Sequence, residues 1–252
     1  MEQKLSTQPY KGTKDLFPQD FKVQKFIFDN WRRVCECFGY EEYQTPILEP
    51  AEIYRKKSGE DIGGKELFTL TDLSGRELAL RPELTPSVTR MVAQKYKEWP
   101  KPIRLFSIGS FYRNERPQRG RSREFWQLNA DIFGEESIYA DIEILRLALE
   151  LILAFNPPEG SFTVAINSRK ILNGVLEVAK IPQEIRASTL RVLDKWTKIG
   201  SEKCEEMLKE LGLDSSQNKK LGDFMNGDTA NLENDLYTRG SVSYTHLTLP
   251  TN

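Results

Sequence analysis

Histidine is almost missing from this chain: His246 is the one histidine in 252 residues. A serine–histidine–aspartate triad or a histidine-rich metal site is thereby excluded, and any chemistry falls to carboxylates, arginines and backbone groups. Cysteine is scarce as well. Cys35, Cys37 and Cys204 are odd in number and lack zinc-ligand spacing, which argues against a disulfide framework or a zinc centre. The most apolar stretch, Ile144 to Phe155, is broken by Arg146 and Glu150 and is too short to cross a bilayer. Met1 to Asp15 is polar and lacks the apolar core of a signal peptide, so a cytoplasmic location without a membrane partner is expected. The net charge of -1 gives no global pull towards nucleic acid, and such a contact would need a local basic patch. Walker A, Gly-x-Gly-x-x-Gly and kinase signatures are all missing, so the common nucleotide cradles are not available.

What is present fits a soluble globular protein, with 38% hydrophobic and 29% charged residues. Apolar residues at helical spacing (Ile27, Trp31, Val34, Cys35, Phe38) predict a helix over 21–38, stopped by Gly39. Tyr40 to Leu48 reads as extended chain. Leu67–Thr71 and Glu77–Arg81 flank the turn-like Asp72-Leu-Ser-Gly75 and predict a hairpin. Thr85-Pro86 reads as a helix start with Thr85 as the N-cap. Ile103–Arg113 and Glu124–Phe133 alternate as strands, Ile138–Phe155 is helical, and Phe162–Ile166 is a short strand. Beyond residue 168 the pattern becomes charged amphipathic helices: Arg169–Ala179, Glu184–Lys198, Glu202–Leu211 and Lys219–Met225. The expected division is a sheet-containing core over 1–167 and a helical module over 168–240. The last segment, 241–252, is Thr-rich and fits neither pattern; it reads as a non-native extension, with a native edge strand as the alternative.

Period-two alternation in Glu124–Phe133 places Phe125, Gln127, Asn129 and Asp131 on one face and Trp126, Leu128, Ala130 and Ile132 on the other. The second face is core. The first is either a solvent-facing sheet surface or the floor of a ligand pocket. Just before it, Arg113, Arg116, Arg119, Arg121 and Arg123 crowd a connection that also carries Pro117 and Gly120. Guanidinium forks suit phosphate oxygens and stay charged at any working pH, which favours a polyphosphate site over a solvated basic turn.

The run Phe111-Tyr-Arg-Asn-Glu115, followed by Arg116-Pro-Gln-Arg-Gly-Arg-Ser-Arg-Glu-Phe125, resembles the second motif of class II aminoacyl-tRNA synthetases in its histidyl-tRNA synthetase form. Gly39-Tyr40 through Thr45-Pro46-Ile-Leu-Glu49 is similar to the first class II motif. Lys11-Gly-Thr-Lys-Asp15 and Leu80-Arg-Pro-Glu83-Leu-Thr85 resemble the family's opening and its amino-acid-binding element. The likeness runs from about Lys11 to Asp235, loosely over the helical module. It implies an α+β fold, an antiparallel sheet flanked by helices with a helical insertion module, and a homodimer. It also implies the activation of histidine with ATP and Mg²⁺ to histidyl-adenylate and transfer to tRNA(His).

By the same resemblance Glu83 and Thr85 would hold the substrate ammonium, and Gln127 and Asp131 would contact the histidine. Arg113 would be the catalytic residue, bridging the amino-acid carboxylate and the α-phosphate. Glu115 would accept from the adenine amino group, Phe125 would stack on the base and Arg121 would reach the outer phosphates; no residue is expected to serve as a resident metal ligand. A carboxylate is already a nucleophile near neutral pH, so this chemistry needs alignment and positive charge rather than a strong base. Two rival readings remain at this stage: the non-catalytic regulatory subunit of ATP phosphoribosyltransferase, and a class II synthetase for another amino acid. Asp235-Leu-Tyr-Thr-Arg239-Gly240 does not reproduce the family's later histidine-binding stretch. Neither its Gly-rich third motif nor its anticodon-binding domain is visible, so a C-terminally truncated, weakly active or inactive chain is expected.

Overall fold

In the computed structural model, which describes residues 6–58, 61–164 and 169–226, the chain divides into two compact units, Met1–Ser161 and Phe162–Asn252. The boundary expected at 167/168 falls outside the described residues, as does the segment 241–252.

In the first unit, helix α1 (Pro18–Cys37) starts with proline in its first turn, where a missing N–H costs nothing, and stops at Gly39 with φ of 77°. Its Val34 and Cys35 pack with Tyr40, Phe106, Ile108 and Leu147, the last from helix α4 (Ile138–Leu153). After α1 the chain does not run extended without interruption. It makes the two-residue strand β1 (Glu41–Glu42), crosses Pro46, and resumes as β2 (Leu48–Pro50) before helix α2 (Ala51–Lys57). A π-helical turn (Asp61–Lys65) leads to the expected hairpin, β3 (Phe68–Thr71) and β4 (Glu77–Leu80), closed by Asp72. The Asp72 carboxylate accepts from the backbone N–H groups of Ser74 and Arg76, which fixes the turn. These strands form an antiparallel sheet in the order β2-β4-β3.

Helix α3 (Thr85–Lys95) begins at Thr85, not after it. Leu84, which has no side-chain acceptor, occupies the cap, so the helix start carries no side-chain cap bond. Strands β5 (Ile103–Tyr112) and β6 (Glu124–Phe133) then pair antiparallel over their full length, from Ile103↔Phe133 to Tyr112↔Glu124. β1 joins the other side of β5 in parallel, so this second sheet is mixed, ordered β1-β5-β6. Leu128, Ala130 and Ile132 face the α1–α4 core as alternation requires, but Trp126 near the strand's start is 44% exposed and leans on the Phe28 ring. The opposite face of the sheet meets Leu84, Val88 and Val92 of the α3 region.

The second unit is helical over its described residues: α5 (Arg169–Val178), α6 (Gln183–Leu193), α7 (Trp196–Ile199), α8 (Ser201–Glu210) and α9 (Ser215–Met225). The helix expected over Glu184–Lys198 is two helices, because the chain breaks between Leu193 and Trp196. The described part of the expected strand Phe162–Ile166, residues 162–164, carries no strand pairing. Leu176, Trp196, Cys204, Leu208 and Leu221 form the core. Asp214 and Gln217 satisfy each other's backbone N–H groups at 2.8 and 3.0 Å, a capping box that sets the start of α9.

Candidate active site

The full register of β5 on β6 places Phe125, Gln127, Asn129 and Asp131 opposite Phe111, Gly109, Ser107 and Leu105. Cross-strand partners share a face, so an aromatic pair, a glycine, a leucine and four polar side chains are displayed together. Phe111 and Phe125 stack with centroids 6.0 Å apart. Each carries an arginine: Arg81 lies 4.8 Å from the Phe111 centroid and Arg113 lies 5.1 Å from that of Phe125.

Arg81 is 2% exposed. Its Nε donates to the Ser110 carbonyl at 2.9 Å and its Nη1 to the Thr45 carbonyl at 3.2 Å. Its backbone donates to Ile47 and accepts from Tyr112, so one residue ties both sheets of the unit together. The guanidinium occupies the space over Gly109, where a Cβ would stand 2.2 Å from Nη2. Glycine in the middle of a strand is explained by this close approach. Burial pulls the Arg81 pKa down from its ordinary value, yet arginine stays charged. The motif Leu80-Arg-Pro-Glu83 holds this residue, but its role escapes sequence reading; a glycine inside a predicted strand was the available signal.

Arg113 follows β5, and its Nε donates to the Pro82 carbonyl at 3.2 Å. That bond fastens it to the short loop carrying Glu83, half-buried at the entrance to α3, whose carboxylate accepts from the Ser58 hydroxyl. A cation and an anion are thus held on neighbouring pieces of one scaffold. A cleft of about 670 Å³ between α2 and α3 takes in Glu83 and Thr85, with Ile53, Lys57 and Arg90 among its other walls. Arg113, Gln127 and Asp131 do not line it; they belong to the sheet face.

The five arginines separate into different uses. Arg123 is structural: its Nη1 donates to the Tyr10 hydroxyl at 2.6 Å, its Nε to the Glu115 carbonyl at 3.1 Å, and its backbone N–H to the Gly12 carbonyl at 2.7 Å. Arg121 donates to the Glu115 carboxylate at 3.1 Å, so the two residues expected at opposite ends of ATP hold each other here. Arg116 and Arg119 are exposed. Asp131 is half-buried, its Oδ2 sealed without a hydrogen-bond partner, and burial raises its pKa. Among the described residues no three His, Cys, Asp or Glu side chains cluster as a metal site.

The sequence profile of the histidyl-tRNA synthetase family matches residues 12–244. The histidine--tRNA ligase of Leptospira biflexa is 42% identical over 92% of this chain, and that of Opitutus terrae 37% identical over 92%. The match takes in 53% and 54% of those two proteins, so the chain spans about half the length of the curated relatives it matches. A crystal structure of an ATP phosphoribosyltransferase regulatory subunit/histidyl-tRNA synthetase from Bacillus halodurans superposes with a TM-score of 0.77 at 26% identity, covering 97% of this chain and 61% of that one. Histidyl-tRNA synthetase from Nostoc superposes with a TM-score of 0.79 over 93% of this chain and 53% of its own, with 23% identity, a likeness of fold. With the α+β core and the second-motif hairpin in place, the chain belongs to the histidyl-tRNA synthetase family of class II aminoacyl-tRNA synthetases.

Proposed function

We propose that the protein ligates histidine to tRNA(His), and that this chain supplies much of the surface that takes histidine and ATP. The observation that carries the reading is the bond from Arg113 to the Pro82 carbonyl, beside Glu83. An amino acid is a zwitterion, and a guanidinium held next to a carboxylate matches its two ends. On this reading Glu83 and Thr85 receive the ammonium and Gln127 and Asp131 receive the side chain. Arg113 neutralises charge as the histidine carboxylate attacks the α-phosphorus of ATP and pyrophosphate leaves. Mg²⁺ bound to the nucleotide's phosphates would add positive charge beside that of Arg113. Glu115 and Arg121 exchange their mutual ion pair for the adenine amino group and the outer phosphates, and Phe125 stacks on the base.

The ligase reading carries a cytoplasmic setting and a homodimer with it. Exposed apolar residues at the cap of α1, along it and in the following motif, including Phe17, Phe21, Val23, Ile47 and Leu48, support the dimer. Sedimentation of the complete gene's product at micromolar concentration should give a dimer, and a monomer would remove that part of the reading. The regulatory-subunit alternative is less well supported, because Glu83, Arg113 and Glu115 are all present. Histidine-dependent ATP–pyrophosphate exchange by the product of the complete gene tests the whole. Exchange with histidine alone is expected; exchange driven by threonine or proline, or by no amino acid, overturns the reading.

A further inference from the structure

The segment before α1 is exposed at Tyr10 and Lys11, yet its backbone is closely placed. Thr13 donates to the Tyr10 carbonyl through its backbone N–H at 2.9 Å and its hydroxyl at 2.7 Å, which closes a tight turn. Gly12 takes the third position of that turn with φ of 93°, a left-handed conformation that any side chain would strain. Its carbonyl accepts from the backbone N–H groups of Arg123 and Glu124 at 2.7 and 3.2 Å. A Cβ on Gly12 would stand 2.9 Å from Cγ of Arg123 and 2.9 Å from Cγ of Pro117. The strap Tyr10–Thr13 is therefore wedged between the outgoing and returning arms of the β5–β6 connection.

The β5–β6 ladder ends at Tyr112↔Glu124. Past it, the Asn114 N–H donates to the Glu66 carbonyl at 2.7 Å, and Gln118 and Arg121 form an isolated bridge at the tip. The Arg121–Glu115 ion pair adds little rigidity, because its arginine is 62% exposed and such pairs are weak. Arg123 is tied far more heavily. Its Nε donates to the Glu115 carbonyl at 3.1 Å, and its own carbonyl accepts from the Arg113 N–H at 2.9 Å. Its Nη1 donates to the Tyr10 hydroxyl at 2.6 Å and to the Lys11 carbonyl at 3.3 Å, with the guanidinium 5.0 Å from the Tyr10 ring centroid. One residue thus joins the strap to both arms of the connection.

We propose that the strap Tyr10–Thr13 sets the arginine-bearing connection in place for ATP, with Arg123 as the positioning residue that passes this support to Glu115. The support stands on the geometry; its consequence for ATP rests on the ligase reading. Fixing the backbone of a loop costs conformational entropy, and a connection pinned before the nucleotide arrives leaves less of that cost to binding. Among the described residues no hydrogen bond joins the strap to Glu83, Gln127 or Asp131. Arg113, which would face both substrates, has its own anchor at the Pro82 carbonyl. ATP is therefore the substrate that senses the strap, and histidine is not.

The test compares the product of the complete gene with its Gly12→Ala and Tyr10→Ala variants. Gly12→Ala strains the turn and crowds both arms; Tyr10 is 60% exposed, so Tyr10→Ala covers the case in which the first variant does not fold. Without ligands, hydrogen exchange at the amides of residues 115–124 should quicken about tenfold, while those of residues 128–132 stay unchanged. Unaltered exchange in the connection overturns the support. In histidine-dependent ATP–pyrophosphate exchange, the KM for ATP should rise about tenfold, the size of one lost hydrogen bond to a charged group, with kcat and the KM for histidine unmoved. A merely structural strap would lower the amount of active enzyme, and kcat would fall with both KM values unchanged. That result, or equal weakening of both substrates, overturns the positioning role. A parent without exchange activity removes the ligase reading, and the ligand-free measurement still decides the support.

Discussion

The two units bury their polar groups differently. The sheet-bearing unit encloses Arg81, Glu49, Ser87, Ser107 and Ser110, and leaves Ser107, Tyr43 and an oxygen of Asp131 without partners. In the helical unit the buried polar side chains among the described residues are Thr189 and Asn218. Both donate to helix backbone, Thr189 to the Ile185 carbonyl at 3.0 Å and Asn218 to that of Glu205 at 2.9 Å, and Oδ1 of Asn218 is the one unpartnered buried side-chain atom found there among the described residues. One region buries charge and several open hydrogen-bonding positions at a cost in stability; the other, with a single such atom among its described residues, is arranged mainly for packing. Functional groups are to be sought where burial is costly.

This contrast is sharpest at Arg81. Arg81→Ala should destabilise the first unit by about 3–5 kcal/mol, from the cavity and from the Ser110 and Thr45 carbonyls left unpaired. Hydrogen exchange should accelerate at β5 amides and stay unchanged at those of α8; equal acceleration in both would abolish the distinction between the units. Leu208→Ala, at a position 0% exposed, should cost about 3 kcal/mol by cavity formation. Here α8 loses protection while histidine affinity, read by calorimetry, is retained. Glu83→Gln reverses that pattern. It should leave the urea midpoint nearly unchanged and weaken histidine binding by about 2 kcal/mol, roughly thirtyfold. Equal affinity in that variant would show that Glu83 has no part in holding the ammonium.

The smallest effect is at Asp131 and depends on pH. Its carboxyl is raised by burial, so the free chain loses stability as pH rises through that raised value. Below the ordinary carboxylate range the group is protonated in both folded and unfolded chains, and the loss disappears. Asp131→Asn should therefore be more stable than the parent at neutral pH and equal to it in acid, as urea unfolding at several pH values would reveal. A parent that is the more stable one at neutral pH would mean that Asp131 is already satisfied.

Local pattern carried much of this into view. The β6 limits, Glu124 and Phe133, are legible from alternation alone, since each residue's face is set by its neighbour's. The β3–β4 hairpin is legible from Asp72 and Gly75, whose turn chemistry is contained within a few residues. The misplaced cap at Thr85 and the merged helices α6 and α7 are boundary errors, where propensity yields to packing. Partnerships at long range left no trace in spacing. Arg81 reaches Ser110, 29 residues on, and Arg123 reaches Tyr10, 113 residues back. In the loop sequence Arg121 and Arg123 look alike; only the fold separates the one paired with Glu115 from the one that fastens the N-terminal strap.

Arg81 has no carboxylate among its partners in the described residues, only carbonyl and hydroxyl oxygens, so nothing beside it cancels its charge. A lone positive charge inside protein projects further than one in water, on the order of 1–2 kcal/mol at 10 Å for an effective dielectric near 20. Gly109, against which it lies, is paired with Gln127 on the open face. An anion settling there meets a standing attractive potential that no proton uptake switches off and that salt, excluded from the interior, screens only weakly.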